Sequence, residues 1–543
     1  MCGFYLYYGP HKNKKLKANS KIPNLIRRGP DQFTKGKIGD FFFEFYRLAM
    51  VSKKKFGVQP LNIDKYRTLF FNGEIYNYKQ LNEWGSKVNS DTELLSLYIA
   101  KYGLTKTLQK IDGMYAIVVL NKMKKNIKLI RDFPGVKPLY YSTYKNQIII
   151  SSDIMSIVKD LKTKINKKHI PENYFFRSVI PPNTIWENIY QVEQGCILSI
   201  NYKNKKKLKI KKSKFFNIEK EFENNKFKIN ELDEILKNSV LTHSSSIYNP
   251  STLLSSGIDS GLIAYYTNEH YGKLVSYSAF FRNKNFSEKS EILKDWKNKK
   301  INLNFILDKK SIGEKTLLNK YIHFKGSPIT IGNEISLVKV FRKVKKKTSL
   351  ILSGEGADEL FLGYDRIAYF FRNISKLGKF SDKEKIKQIE KFLLNYCYFC
   401  IKQNQINKII KKLKMELFKV YKIYGWQKTY QYFFLKYHIL SLLDRLDKTS
   451  MFNSVEARVP FLSQKVIRYA IKTNLIKPVN IVKNKLTGKL HLRKLAKYKI
   501  GYKFAYRPKI GFPHPVYSGL SKTFPNYKNS WLFDQYMNFT KII

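Results

Sequence analysis

The sequence predicts two domains in tandem, a β-rich amino-terminal one and an α/β carboxyl-terminal one built on a parallel sheet with added helices, and three observations support this. Short apolar and β-branched runs alternate with turn signals from residue 1 to about 200. A lysine-rich stretch with little apolar periodicity follows. Beyond it, apolar runs lead into Gly- and Ser-rich turns and then into helical spacing. A chain of 543 residues is long enough for this, since domains average about 100 to 200 residues.

The expected strands of the first domain are Phe41 to Phe45, Thr68 to Phe71, Tyr115 to Leu120, Ile127 to Ile130 and Gln147 to Ser151. The segment Tyr202 to Lys228 reads as a linker or surface hairpin. The boundary is placed near residue 210, giving domains 1–210 and 211–543. In the second domain, the run Ser251 to Leu254 enters a Ser/Gly turn and then a helix from Ser260, and Ser349 to Leu352 enters another Gly-rich turn. Strand, turn and helix in that order suit a parallel sheet whose ligands lie at the carboxyl ends of the strands. From Glu384 through Lys448 the Leu, Ile, Tyr and Phe spacing is helical and predicts helices covering the sheet.

Composition limits the function classes. No stretch approaches the roughly 20 uncharged apolar residues that span a bilayer, and the opening Met-Cys-Gly-Phe-Tyr lacks the basic and apolar regions of a signal peptide. A soluble, cytoplasmic protein is expected. Four cysteines, Cys2, Cys196, Cys397 and Cys400, are too few and too scattered for a disulfide framework. Cys397 and Cys400 have C-x-x-C spacing, but zinc would need a second ligand pair, so the aromatic filling between them reads as the face of a buried helix. The 101 Lys and Arg against 41 Asp and Glu give a net charge of +60, which would attract nucleic acid or an anionic membrane. The lysines are spread along the chain with an excess of Asn, Ile, Tyr and Phe, as AT-rich codon usage would produce. No zinc-finger, bZIP or RNP-type pattern accompanies them.

Cys2 becomes the first residue if Met1 is removed, and its α-amino group then lies beside its own thiol. An α-amine with a pKa of about 8 can take the thiol proton near neutral pH, a nucleophile with a built-in base. Further motifs follow: Arg28-Gly-Pro-Asp31, Arg47-Leu-Ala-Met-Val51, Phe71-Asn-Gly-Glu-Ile-Tyr-Asn77, Ser90-Asp-Thr-Glu93 and Gly135-Val-Lys-Pro-Leu-Tyr140. Together with Cys2 they resemble, in order, those of class II glutamine amidotransferases. The resemblance implies a four-layer αββα glutaminase fold of the Ntn (amino-terminal nucleophile) hydrolase type. It also implies roles: Asn72 and Gly73 as the oxyanion hole, Arg47 on the glutamine α-carboxylate, and Glu74 and Asp91 on its amine.

In the second domain, Leu253-Leu-Ser-Ser-Gly-Ile-Asp-Ser260 is a strand running into a small-residue turn before a helix. Backbone N–H groups there can face a phosphate and Asp259 can carry magnesium, although an ordinary helix cap would look alike. A Walker loop is excluded because no G-x-x-x-x-G-K-[ST] occurs. The segment resembles the pyrophosphate loop of asparagine synthetases and other ATP pyrophosphatases, S-G-G-L-D-S, with Ser256 in place of the first glycine. The resemblance implies ATP contacts from Leu253, Ser255, Ser256, Gly257, Asp259, Ser260 and Ala279.

Ser353-Gly-Glu-Gly-Ala-Asp-Glu359, followed by Leu-Phe-Leu-Gly-Tyr364, resembles a segment particular to asparagine synthetases. It implies nucleotide contacts from Ser353 and Gly354, Asp358 beside Asp259 at Mg2+, and Glu355 as the base that takes a proton as ammonia attacks. Several carboxylates between glycines also require a cation on their own account. Asp444 to Met451 and Val455 to Leu462 match further segments of the family, with Ser463 where it usually has Asp. Lys489 to Arg493 fits its K-x-x-L-R, and Arg507-Pro-Lys509 its late R-x-K, so Lys509 is expected on the transferring phosphoryl oxygens.

The resemblance implies an enzyme that makes asparagine from aspartate, glutamine and ATP through a β-aspartyl-AMP intermediate, with an internal ammonia tunnel between its sites. The expected partners are these small molecules, and a homodimer is compatible with the sequence. The enzymatic alternative is a related amidotransferase acting on another carboxylate. β-Lactam synthetases share the two-domain plan but lack the nucleophile that Cys2 supplies. From another class, a nucleic-acid-binding protein on an inactive scaffold would account for the charge, with affinity falling steeply in salt.

Overall fold

The computed structural model describes residues 2–9, 21–52, 55–85, 88–204, 207–280, 287–297, 299–307, 314–364, 381–396, 403–475, 480–482, 485–507, 537 and 539–542. Cys397, Cys400 and Lys509 lie outside the described residues.

The first domain holds β1 (Cys2–Tyr8), β2 (Gln32–Ile38), β3 (Phe41–Arg47), β4 (Leu61–Asn62), β5 (Arg67–Ile75), β6 (Gly113–Asn121), β7 (Asn126–Arg131), β8 (Tyr140–Ser142), β9 (Ile148–Ser151), β10 (Tyr190–Gln191), β11 (Cys196–Asn201) and β12 (Lys209–Lys214). They form two antiparallel sheets, ordered β10-β8-β9-β1-β3-β2 and β12-β11-β7-β6-β5-β4. Strand alternation sends Phe4, Leu6 and Tyr8 of β1 and Phe41, Phe43 and Phe45 of β3 to one face, where they meet Phe70, Val118, Leu120 and Leu129 of the second sheet. Both outer faces are apolar too, which is why β1, β5 and β6 read as almost unbroken buried runs. Leu69, Phe71 and Ile117 pack under helix α1 (Asp91–Lys110), which Ser90 caps by accepting from Glu93 N–H at 3.2 Å. Helix, sheet, sheet and the helices Pro23–Arg28 and Ile154–Leu161 give the four-layer αββα arrangement.

β12 is an edge strand with all six residues exposed, and Lys209, Lys211, Lys212 and Lys214 line it. Lysines there block pairing with another chain, a structural use for part of the basic excess.

In the second domain, β13 (Asn225–Lys226) pairs with β19 (Thr473–Asn474). The main sheet contains β14 (Ser251–Leu253), β15 (Leu274–Phe280), β16 (Ile301–Leu307), β17 (Leu350–Leu352) and β18 (Glu456–Arg458), all parallel and ordered β16-β15-β14-β17-β18. The strand order reverses between β14 and β17, so the crevice beyond their carboxyl ends is where such a sheet binds ligands. β14 passes through the Ser255–Gly257 turn into α2 (Ile258–Tyr271), and β17 enters the Ser353 loop and the short α3 (Ala357–Phe361). Helices Asp382–Tyr396, Gln403–Phe433 and α4 (Ile439–Met451) follow.

One apolar cluster runs from Tyr5, Tyr46 and Ile149 on the outer face of the first sheet into Leu262, Ile351 and Leu446 of the second domain. Inside this interface, Arg28 and Asp447 form a two-pronged ion pair at 2.8 and 3.1 Å, with Lys137 at 3.7 Å. Arg28 of the Arg-Gly-Pro-Asp motif therefore fastens the domains together, while Asp31 braces the Arg47 segment by accepting from Ala49 N–H at 2.9 Å.

Candidate active site

Cys2 opens β1 opposite Arg47 of β3. Its backbone N donates to Asn72 Oδ1 at 2.9 Å. That bond fixes the amide orientation of Asn72 and leaves Nδ2 buried without a partner among the described residues. An unpaired buried donor costs about 1–3 kcal/mol, which makes it a candidate for a group that finds its partner only when substrate is present. Gly73 follows in β5, paired with Tyr115 of β6. Burial pushes the Cys2 thiol up, opposed by the charges of the chain's amino terminus and Arg47.

The Arg47 guanidinium donates to Gln32 Oε1 and Ser52 Oγ, both at 3.3 Å. Asp91, the first residue of α1, accepts from Ile75 N–H at 3.1 Å and Thr92 N–H at 2.8 Å. Burial outweighs these bonds and raises its carboxyl to about 6. Glu74 is driven up by burial first and then by the charges of Glu456 and Asp91. Its Oε2 makes no hydrogen bond among the described residues and lies 3.5 Å from Nη2 of Arg458, a residue of the other domain.

The second site is a cavity of about 400 Å³ at the sheet's switch point. Leu253, Ser255, Ser256, Gly257, Asp259, Ser260, Ala279, Ser353, Gly354, Glu355 and Asp358 all line it. Ser255 and Ser260 hydroxyls meet at 2.8 Å across the turn. A side-chain carbon on Gly354 would lie 2.8 Å from Ser260 N, so only glycine lets the two loops approach this closely. Ser256, the departure from the family's glycine, is anchored at the cavity wall by Glu288: its hydroxyl donates to Oε1 at 2.8 Å and its N–H to Oε2 at 3.3 Å. Ser463, the other departure, keeps a carboxylate's usual capping role by accepting from Val466 N–H at 3.3 Å.

Four partners were not assigned from sequence. Arg445 pairs with Glu355. Lys489 bridges Asp259 and Asp358, its Nζ 2.7 Å from each. Glu288 anchors Ser256. Arg458 joins the sites: its side chain reaches Glu74 and, at 2.6 Å, Glu456, while its carbonyl accepts from Ser353 N–H at 2.9 Å. Lys489, Arg445 and Arg458 stand in recognised segments, which gave their presence but not their partners. Glu288 carries no local signal.

A thiol and an unpaired amide donor in an αββα sandwich, joined to a phosphate-type loop on a parallel sheet, define a glutamine amidotransferase coupled to a nucleotide-dependent synthetase. The comparisons agree half by half: a glutamine amidotransferase domain model matches residues 1–214 and an asparagine synthase model residues 231–537. The chain belongs to the asparagine synthase family. It is 27% identical to a glutamine-hydrolyzing asparagine synthetase of Bacillus subtilis, over 98% of this chain and 89% of that one. It is also similar to putative glutamine-hydrolyzing asparagine synthetases of Mycobacterium tuberculosis (25% identical, covering 95% of this chain and 88% of that one) and Methanocaldococcus jannaschii (27% identical, covering 80% and 69%).

Proposed function

We propose that this protein makes asparagine from aspartate, glutamine and ATP, releasing glutamate, AMP and pyrophosphate. Cys2 attacks the glutamine side-chain carbonyl to give a γ-glutamyl thioester and ammonia, and water then hydrolyses the thioester, releasing glutamate and restoring the thiol. The Asn72 amide and the Gly73 N–H receive the negative charge of the tetrahedral intermediate. Arg47 takes the glutamine α-carboxylate, while Glu74 and Asp91 take its amine. In the second site the aspartate β-carboxylate attacks the α-phosphorus of ATP, and pyrophosphate leaves from the Ser255–Ser260 turn and the Ser353–Gly354 loop. Ammonia then displaces AMP from β-aspartyl-AMP, with Glu355 accepting its proton. Lys509 is proposed to neutralise the transferring phosphoryl oxygens.

Asp259 and Asp358 fit a magnesium site. They already converge on one cation, the Lys489 ammonium, and Mg2+ typically binds through one or two carboxylates plus substrate phosphates. Among the described residues no cluster of three or more His, Cys, Asp or Glu side chains could hold a metal. When bound, Mg2+ would offset charge on the leaving pyrophosphate.

The observation that carries this reading is Asn72, whose Oδ1 is fixed by Cys2 while its Nδ2 stays buried and unpaired. The nucleic-acid alternative is not favoured, since both halves of the chain match enzyme families. Incubation with MgATP, aspartate and either glutamine or ammonium tests the proposal. Asparagine and pyrophosphate should form with both nitrogen sources, and Cys2→Ala should work with ammonium alone. Turnover confined to another carboxylate would overturn the aspartate assignment.

A further inference from the structure

Lys489 is built into the second site. Its ammonium lies 2.9 and 2.7 Å from the two Asp259 oxygens and 2.7 Å from Asp358 Oδ1, and its side chain is 3% exposed. The residue sits just before helix α5 (Leu490–Lys499) at φ 57°, a left-handed conformation that costs a non-glycine residue energy and persists only where the surroundings impose it. Gly363 clears its path, because a side-chain carbon there would come within 2.0 Å of Asp358 Oδ1 and 2.5 Å of Lys489 Cε.

We propose that Lys489 is an exchangeable internal counter-ion, which holds the metal's place between Asp259 and Asp358 and passes to the nucleotide phosphates when metal and nucleotide enter. The inference rests on the reading that these two aspartates bind magnesium. Mg2+ sits about 2.0–2.1 Å from its oxygen ligands. An ion touching both carboxylates would therefore fall where the ammonium stands, and the two cations exclude one another. A metal arriving alone would drive the ammonium towards walls that carry Arg445, Arg493 and Arg507. The carboxylates nearby are engaged, Glu355 by Arg445 and Glu288 by Ser256. Among the described residues no unengaged carboxylate lines the cavity beside these, so an incoming phosphate is the partner the lysine gains. No covalent bond changes: the aspartates exchange one cation for another, and the lysine exchanges carboxylates for phosphate. Metal and nucleotide should then bind cooperatively, each raising the affinity of the other by the same factor.

The test uses Mn2+ as the probe, followed by electron paramagnetic resonance on the full chain, with and without α,β-methylene-ATP. Lys489→Met, which keeps the stem and removes the charge, should bind Mn2+ alone at least about tenfold more tightly than the wild type, within the usual range of such couplings. The factor by which the analogue tightens Mn2+ binding should shrink in that variant, and Lys489→Arg should behave like the wild type. Equal affinities in wild type and Lys489→Met, or an unchanged factor, overturn the proposal. If Lys489→Met does not fold, Lys489→Gln takes its place. Wild type alone also decides one arm: Mn2+ bound without nucleotide at about 0.1 mM or tighter, and lost in Asp259→Asn, overturns the counter-ion role. If Lys489→Met with Asp259→Asn still binds Mn2+ as Lys489→Met does, the magnesium reading fails, and the proposal with it.

Discussion

Replacing Asn72 by Ala removes two groups with different duties. Oδ1 accepts from Cys2 N at 2.9 Å in the resting protein, and its loss leaves that buried donor unpaired at a cost of about 1–3 kcal/mol. Nδ2 is buried and unpaired, so its removal relieves a penalty of about 1–3 kcal/mol. The two changes offset, and folding stability should move little. The oxyanion is different, because Nδ2 acts there alone of the two groups. Losing such a donor costs about 2.7–4 kcal/mol, or a 10²- to 10³-fold drop in kcat. The expected result is therefore a glutaminase kcat lower by that factor, a KM for glutamine little changed, and ammonium-dependent asparagine formation intact. Glutamate release and asparagine formation, measured separately, check it. A drop below about threefold, or ammonium-dependent activity falling in parallel, would refute the oxyanion role.

In its proposed role on the glutamine amine, Asp91, raised to about 6 by burial, would need to be ionised, so glutamine-dependent activity should fall below about pH 6 while ammonium-dependent activity persists; a common pH profile would contradict this. The stability effect runs the other way. The folded carboxyl titrates above its unfolded value of about 3.9, so its contribution is fully present below that pH and is lost as pH rises through about 6, to the extent of about 3 kcal/mol, as urea unfolding against pH should register. Ser256→Gly restores the family's residue but removes a hydroxyl bond to the buried Glu288; stability should fall by about 1.5–3 kcal/mol, and a more stable variant in urea melts would count against the anchor. Arg28→Met leaves Asp447 buried without its two-pronged partner, with Lys137 at 3.7 Å and the charge of Lys448 remaining. It should destabilise the joined domains by about 3–5 kcal/mol, visible in calorimetry as a lower or divided transition, and an unchanged melt would show that the pair does not hold the interface.

Strands and motifs were legible from sequence because both are local. Phe41 to Phe45 and Tyr115 to Leu120 announce strands by residue type, and β3 and β6 contain them. Ser255–Ser260 and Ser353–Glu359 announce loops by their small residues, and the fold brings both to one cavity. The four layers were not legible from composition. Near-continuous burial of β5 and β6 reflects covering on both faces, which periodicity cannot distinguish from a single buried run.

The sequence by itself determined which chemical groups the protein has: a thiol at its second residue, a side-chain amide in β5, and carboxylates set in glycine-rich turns. Tertiary structure decided which groups meet. Arg458 reaches Glu74 across the domain interface, Lys489 stands between Asp259 and Asp358, and Glu288 takes the hydroxyl of Ser256. The physical reason is range. Backbone preferences act over a few residues, whereas the charge balance of a buried site is set by whatever the packed chain brings within about 4 Å, and spacing along the sequence does not encode that.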